Sequence, residues 1–226
     1  MPASPFAEHV VAQVGPVAIT RAVVTTWGIV VVLAGGAAIA TRRLRVDAPG
    51  RVQSALEIVV ETIANQIRDT LRAPPERYVP LLGTLFVFLV VANLSAIVPG
   101  VEPPTAHVET PAALAVIVLL ATHYYGIRAR GVRAHFVEYV KPNPLFLPLN
   151  ILAEITRTFS LAVRLFGNVM SHELVIGIVL ALAGLLVPVP LMVLGILIGL
   201  VQAYIFSILA TVFVGAGVEA RERRQT

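Results

Sequence analysis

Ser160-Leu-Ala-Val-Arg164-Leu-Phe-Gly-Asn168-Val-Met-Ser-His172-Glu173-Leu174 sets a guanidinium inside a run otherwise apolar enough to sit in lipid. An arginine at the centre of a membrane-spanning helix costs roughly 3 kcal/mol on insertion scales, so such residues face a protein interior or a watery path and mark ion routes. On an α-helix at about 100° per residue, Glu154, Arg157, Arg164, Asn168, Ser171 and His172 share a sector roughly 100° wide. Glu173 falls roughly opposite, about 13 Å beyond Arg164 along the axis, and does not pair with it on one straight helix. The bland reading is a charge buried for helix packing. The sharper one is an ion route with a fixed positive charge beside it, and the polar stripe around Arg164 favours it.

Outward from that stretch the helical pattern is long. If residues 149–187 were helical throughout they would measure about 58 Å, about twice the hydrocarbon thickness of a bilayer. Either the segment breaks, or it crosses at a slope near 60°, well beyond the usual tilt of about 20°. Val187-Pro-Val-Pro190 is expected to make the turn into a second long helix, 191–218, which carries Gln202 among apolar residues and ends in Glu219-Ala-Arg-Glu-Arg-Arg224. Two such neighbours predict a long tilted hairpin. Gly195 and Gly199 form a small-xxx-small pair, which reads as close packing within that hairpin.

Composition agrees with a chain made for lipid. Hydrophobic residues are 57% and charged ones 13% of the sequence, against about 25% charged in soluble proteins, and mean hydropathy is +0.85. The 226 residues supply about five spans of about 20 residues each and leave no room for a separate soluble catalytic domain. The predicted fold is all-α: a polytopic membrane protein of about five transmembrane helices plus one amphipathic interfacial helix, read as a single membrane domain over 1–226. The net charge of +4 is spread over short loops rather than one soluble face, so it reads as a topology signal and not as a nucleic-acid surface. With no cysteine, thiol catalysis, disulfides and thiolate metal sites are excluded. The start, Met1-Pro-Ala-Ser-Pro-Phe-Ala-Glu8, lacks the basic region of a cleavable signal peptide, so the first hydrophobic helix is expected to stay.

In chain order, the first span is predicted over 17–40, followed by the basic Arg42-Arg43-Leu-Arg45, which places that end in the cytoplasm and the amino terminus outside. From 51 to 71, Val52, Leu56, Val59, Val60, Ile63 and Ile67 recur at helical spacing while Gln53, Glu57, Glu61, Asn65, Arg68 and Asp69 take other faces. This helix is too polar to span. It lies along the membrane surface or docks on a partner helix, unless it is a plain soluble connector. Ala73-Pro-Pro-Glu-Arg77 breaks it. A span over 78–98 follows, with Asn93 placed to hydrogen-bond a neighbour. The next loop has no Lys or Arg, as an external loop should; its Glu102, His107 and Glu109 either line an outer vestibule or are simply solvated. A span over 111–127 returns to Arg128, Arg130, Arg133 and Lys141, a second basic loop.

These motifs carry a family resemblance. Arg164-Leu-Phe-Gly-Asn168 followed by Glu173-Leu174, with Gln202-Ala-Tyr-Ile-Phe206 on the last helix, resembles the signature of the a subunit of bacterial F-type rotary ATP synthases. Pro80-Leu-Leu-Gly-Thr-Leu-Phe86 running into Asn93-Leu94, then Ile97-Val-Pro-Gly100, is similar to that family's third helix and following loop. His9-Val10, Ile19-Thr20 and Thr26-Trp27 resemble its amino-terminal part. The likeness covers nearly the whole chain with its motifs in order.

The resemblance implies a stator subunit of the cell (inner) membrane, with the hairpin lying against a ring of c subunits, and with b subunits of the peripheral stalk and the rest of the F1Fo complex as further partners. It implies no cofactor and no enzyme activity of this chain alone, since ATP is made on partner subunits. A proton or sodium ion neutralises a c-ring carboxylate. Near Arg164 that carboxylate must release its ion, because the positive charge favours the ionised form. Glu173 then suits the half-channel to the outside, with Asn168, Ser171, His172 and Gln202 holding water or hydrogen bonds. The family often pairs an imidazole or carboxylate at the position of Glu173 with a complementary group on the last helix. Here that opposite position holds Gly195, while His172 stands immediately before Glu173. His172 either stands in for the missing group or merely bonds a neighbouring helix. The coupling ion is set chiefly by the c ring.

The residues alone show no nucleotide-binding loop, Ser/His/Asp arrangement or metal-ligand cluster. The rival reading, a stand-alone ion-coupled secondary transporter, commonly shows repeated halves with interrupted helices, and no such repeat is present. The basic residues at 42–45, at 128–141 and at the carboxyl end predict one shared, cytoplasmic side. Because the chain has no native cysteine, single cysteines introduced near those three places should label from that side only; labelling near Arg130 from the outer face alone would overturn the topology.

Overall fold

The structure is a computed structural model that describes residues 10–14, 17–42, 50–71, 74–98, 101, 103–140, 144–184 and 187–219. The first sequence expectation is corrected at once. The span read from Val17 begins instead at Arg21, because Val17–Thr20 pairs antiparallel with Val10–Val14 as a two-stranded ribbon, β1 and β2, closing at Val14 opposite Val17. Both strands are rich in β-branched residues, which fit a pleated backbone. Helix α1 then runs over Arg21–Thr41. Its valines and Ile39 are mostly uncovered by protein, as suits a lipid-facing helix.

The amphipathic segment forms α2, Arg51–Leu71. Of the two placements its pattern allowed, docking holds for its second half, which buries Ile67 and Leu71, while Ile58, Val59 and Val60 of its first half stay exposed. A 3-10 turn at Pro75–Arg77 leads into α3, Val79–Leu94, which is extended by a second turn, Ser95–Ile97. A third turn, Pro104–Ala106, precedes α4, Glu109–Arg130, which outruns the expected 111–127 at both ends. Gly131, at φ 84°, ends α4, and the basic loop then holds a short helix that the sequence reading missed, α5, Val132–Val140.

The long segment does not break. Helix α6 runs over Leu147–Ala183, 37 residues or about 55 Å. Gly184, at φ 76°, stops it, and α7 occupies Pro188–Glu219. The Val187–Pro190 motif therefore does not itself make the turn. Pro188 and Pro190 belong to the first turn of α7, where a missing N–H costs nothing. Among the described residues, five helices are long and apolar enough to cross a membrane: Arg21–Thr41, Val79–Ile97, Glu109–Arg130, Leu147–Ala183 and Pro188–Val218. The chain is a multi-pass, essentially helical membrane protein. Glu102, Lys141, the 43–45 part of the first basic cluster and the tail from 220 lie outside the described residues.

Helix α7 is the centre of the packing. Ala203, Phe206, Ala210 and Val214 recur three and four residues apart and are buried against Leu82, Leu85 and Leu89 of α3, Leu114 and Val118 of α4, Leu161 and Leu165 of α6, and Ile67 and Leu71 of α2. Lipid tails are as apolar as leucine, so close backbone approach must supply much of the attraction. Gly217 shows it: a Cβ there would lie 2.9 Å from the Thr122 carbonyl oxygen of α4. Gly126 of α4 faces it, with a Cβ position 3.1 Å from the Gly217 carbonyl oxygen and 2.7 Å from His135.

Substituting Gly217 by Ala should therefore push α4 off α7 and cost about 1–3 kcal/mol, the usual penalty for overpacking. Gly36→Ala on α1, where nothing lies within 4 Å of the added carbon, should be neutral or stabilising by about 0.5–1 kcal/mol, the helix preference of alanine over glycine. Thermal unfolding of the purified protein in detergent, followed by circular dichroism, compares the two.

Candidate functional site

The polar groups of α6 share one side of the helix, as the 3.6-residue period requires, but each meets a different neighbour. Glu154 faces α4, with Oε1 at 3.6 Å from His123 Nδ1. Arg157 sets its guanidinium carbon 4.9 Å above the Phe213 ring of α7, a cation–π contact. Asn168 Nδ2 donates to Gln202 Oε1 at 2.7 Å. Ser171 is exposed, while His172 and Glu173 are half-buried.

Arg164 differs from all of these. It is exposed, and among the described residues it has neither an ion pair nor a hydrogen bond. The cause is local. Leu161 and Leu165, one helical turn apart, are the residues α6 buries in the core, and Arg164 stands about 60° and 100° round the helix from them, beside the buried face and not on it. Val163, next in the chain, and Phe159, about 140° round the helix from Arg164, are bare apolar surface. The guanidinium is thus exposed at the edge of the buried face, rather than within this chain's own interior.

On α7 the site continues as a column. A Cβ at Gly195 would overlap the His172 imidazole, so the ring occupies the notch that the glycine leaves. One turn on, Gly199 lies not against α6 but against Asn93 of α3, whose Nδ2 donates to the Gly199 carbonyl at 2.8 Å. The small-residue pair therefore splits, Gly195 packing within the hairpin and Gly199 outside it. Asn93 Oδ1 in turn accepts from Thr105 Oγ1 at 2.9 Å. Next along α7, Gln202 is 3% exposed, and its Nε2 finds no acceptor among the described residues. Thr105 is the site neighbour that sequence reasoning missed, because a single threonine in a proline-rich loop gives no signal until the loop folds back on α3.

The two outer-loop residues separate. His107 is half-buried just after the Pro104–Ala106 turn, and Glu109 is exposed at the start of α4. At the other end of the site, His123 and His135 meet edge to face at 5.3 Å. His135 is buried in α5, and burial, then the nearby Arg130 and His123, hold its imidazole below the ordinary histidine value, with Glu154 acting against them. None of the His and acidic groups among the described residues is arranged to hold a metal ion.

Comparison with known proteins bears directly on this arrangement. The family described as ATP synthase A chain matches residues 23–215. The chain is 57% identical to ATP synthase subunit a 2 of Bradyrhizobium sp. (strain BTAi1) over 96% of its own length and 97% of that protein. It is 45% identical to ATP synthase subunit a 2 of Pelobacter propionicus, covering 95% and 93% of the two chains, and 45% identical to ATP synthase subunit a 1 of Chlorobaculum parvum, covering 96% of each. Residues 23–215 take in Arg164, the hairpin turn and the α7 column together, and on that evidence the chain belongs to the ATP synthase A chain family, the a subunits of bacterial F-type ATP synthases.

Proposed function

We propose that this chain, a single membrane domain over 1–226, is the stator half of the ion path: two half-channels that meet at Arg164 and carry protons, or sodium ions, to and from the carboxylates of a c-subunit ring. The observation that carries this reading is the exposure of Arg164. An exposed guanidinium on a membrane helix, with no acidic partner in its own chain among the described residues, calls for a carboxylate supplied by another subunit. A rotating ring with one carboxylate per subunit meets that need. The ring would lie along the exposed flank of α6 that carries Arg164, and the b subunits would hold the stator still.

The mechanism follows from charge. An incoming carboxylic acid is neutral and crosses lipid cheaply; beside Arg164 the ionised form is favoured, so the ion leaves. Reprotonation must then come from the other side, because a fixed cation repels a like-charged ion that tries to pass directly. Each charge moved through 100 mV yields about 2.3 kcal/mol, and Arg164 makes that release directional. The lone donor of Gln202 supports a hydrated lining: a buried N–H left unmade costs about 1–3 kcal/mol, which water in the path offsets. Asn168, Ser171, His172 and Glu173 extend that lining towards the outside, with His107 and Glu109 at its mouth.

Arg164→Ala in the assembled complex should abolish ion-driven ATP synthesis while the chain still inserts, since its removal relieves a charge penalty of roughly 3 kcal/mol. Arg164→Lys should also fail, because a compact ammonium lacks the planar fork. Normal coupled synthesis with Arg164→Ala refutes the reading. For the second site, Glu173→Gln should slow synthesis without stopping it, and adding His172→Ala should lose more than the two separate losses together, with a coupling energy of about 0.5–3 kcal/mol. Gly195→Ala, which evicts the imidazole from its notch, should act in the same direction. Strictly additive losses would make His172 a packing residue only.

A further inference from the structure

The groups on the other side of Arg164 have a chemistry of their own. Glu154 lies ten residues before Arg164 on α6, about 15 Å along the axis, towards the end joined to the basic loop and α5. Its partner His123 comes from a different helix, and the contact at 3.6 Å joins side chains that are 19% and 30% exposed respectively. The pair is thus reachable by water yet fixed in place. His123 Nδ1 lies 2.9 Å from the Leu119 carbonyl oxygen, and a carbonyl only accepts, so Nδ1 carries a proton. Beside Glu154 is a cavity of about 10 Å³, lined also by Arg157, Thr158, Thr122 and Phe213, close to the room one water needs.

We propose that Glu154 and His123 form a proton-exchange station on the basic side of Arg164, the counterpart of Glu173 and His172 on the other. This rests on the reading of Arg164 as the meeting point of two half-channels. A proton released near Arg164 crosses the water-sized cavity and protonates the Glu154 carboxylate. The resulting acid gives that proton to bulk water, which restores the carboxylate and leaves a hydronium to equilibrate with the aqueous phase, while His123 Nδ1, 3.6 Å away, holds the carboxylate in place. In the reverse direction the same steps load the ring. Among the described residues, the other charged and titratable groups facing the pair are Arg157 on α6, Arg130 on α4 and His135 on α5, while α7 presents Phe213 and Gly217. His135, buried and biased towards its neutral form, closes the station from the α5 side without adding a second cation.

Passive proton flux through the membrane sector of the assembled complex in liposomes, driven by a potassium diffusion potential and read as a function of pH on the basic side, tests the station. Glu154→Gln should cut the flux about tenfold or more, Glu154→Asp should restore much of it, and His123→Gln, which removes the contact that holds the carboxylate, should cut it by a smaller factor. If Glu154→Gln impairs assembly, the flux through His123→Gln complexes decides the matter. Wild-type flux in His123→Gln and Glu154→Gln complexes, with ion-driven ATP synthesis still lost in Arg164→Ala, would overturn the station alone. Normal ion-driven synthesis with Arg164→Ala would instead overturn the half-channel reading on which it rests.

Discussion

Close backbone approach to α7 is the constraint on which the rest depends. In lipid, apolar area gives little reason for helices to prefer one another, so contact distance decides. Gly217 lets the Thr122 carbonyl of α4 reach α7, Gly199 lets Asn93 of α3 do so, and Gly195 admits the His172 ring of α6. Because α3, α4 and α6 all index on one helix, the polar groups they carry fall into a single column beside it. The functional geometry is thus a by-product of where side chains are missing.

The same packing explains the exposure of Arg164. A helix with only Leu161 and Leu165 buried has little choice of rotation: those two leucines face the bundle, and the guanidinium, about 60° and 100° round the helix from them, is left at the exposed edge of that face. The charge is therefore held by hydrophobic anchoring and not by a partner of its own, which leaves it available to a carboxylate from elsewhere. Arg157, seven residues earlier, sits on nearly the same side of the helix but has Phe213 within reach, so it is tied inward.

Much of this was legible in the sequence. The run of apolar segments, the amphipathic 51–71 pattern and the length of the Arg164 segment are periodic signals, and periodicity survives without knowledge of tertiary contacts. The resemblance set Gly195 opposite Glu173 and left the place of His172 open; the structure puts the imidazole in the notch at Gly195. What escaped were features set by long-range contact. The Val17–Thr20 strand looked like the start of an apolar helix, since valine and isoleucine suit both. Helix α5 was hidden by the basic residues around it, and its place is fixed by His135 filling the space left at Gly126. The Thr105, Asn93 and Gly199 chain joins residues far apart in sequence, and the pairing of Glu154 with His123 needed the rotation of α6 relative to α4.

Helix α6 can also be viewed as a beam. It is propped on one flank at Glu154, Arg157, Leu161, Leu165, Asn168 and His172, at intervals of three or four residues, and beyond that stretch both ends overhang with no buried residue. The deflection of a beam under a given load rises with the cube of its unsupported length, so the middle is stiff and the overhangs are compliant. Arg164 sits within the stiff portion. A load that sweeps past sideways would bend the tips first, while the charge at the centre kept its position.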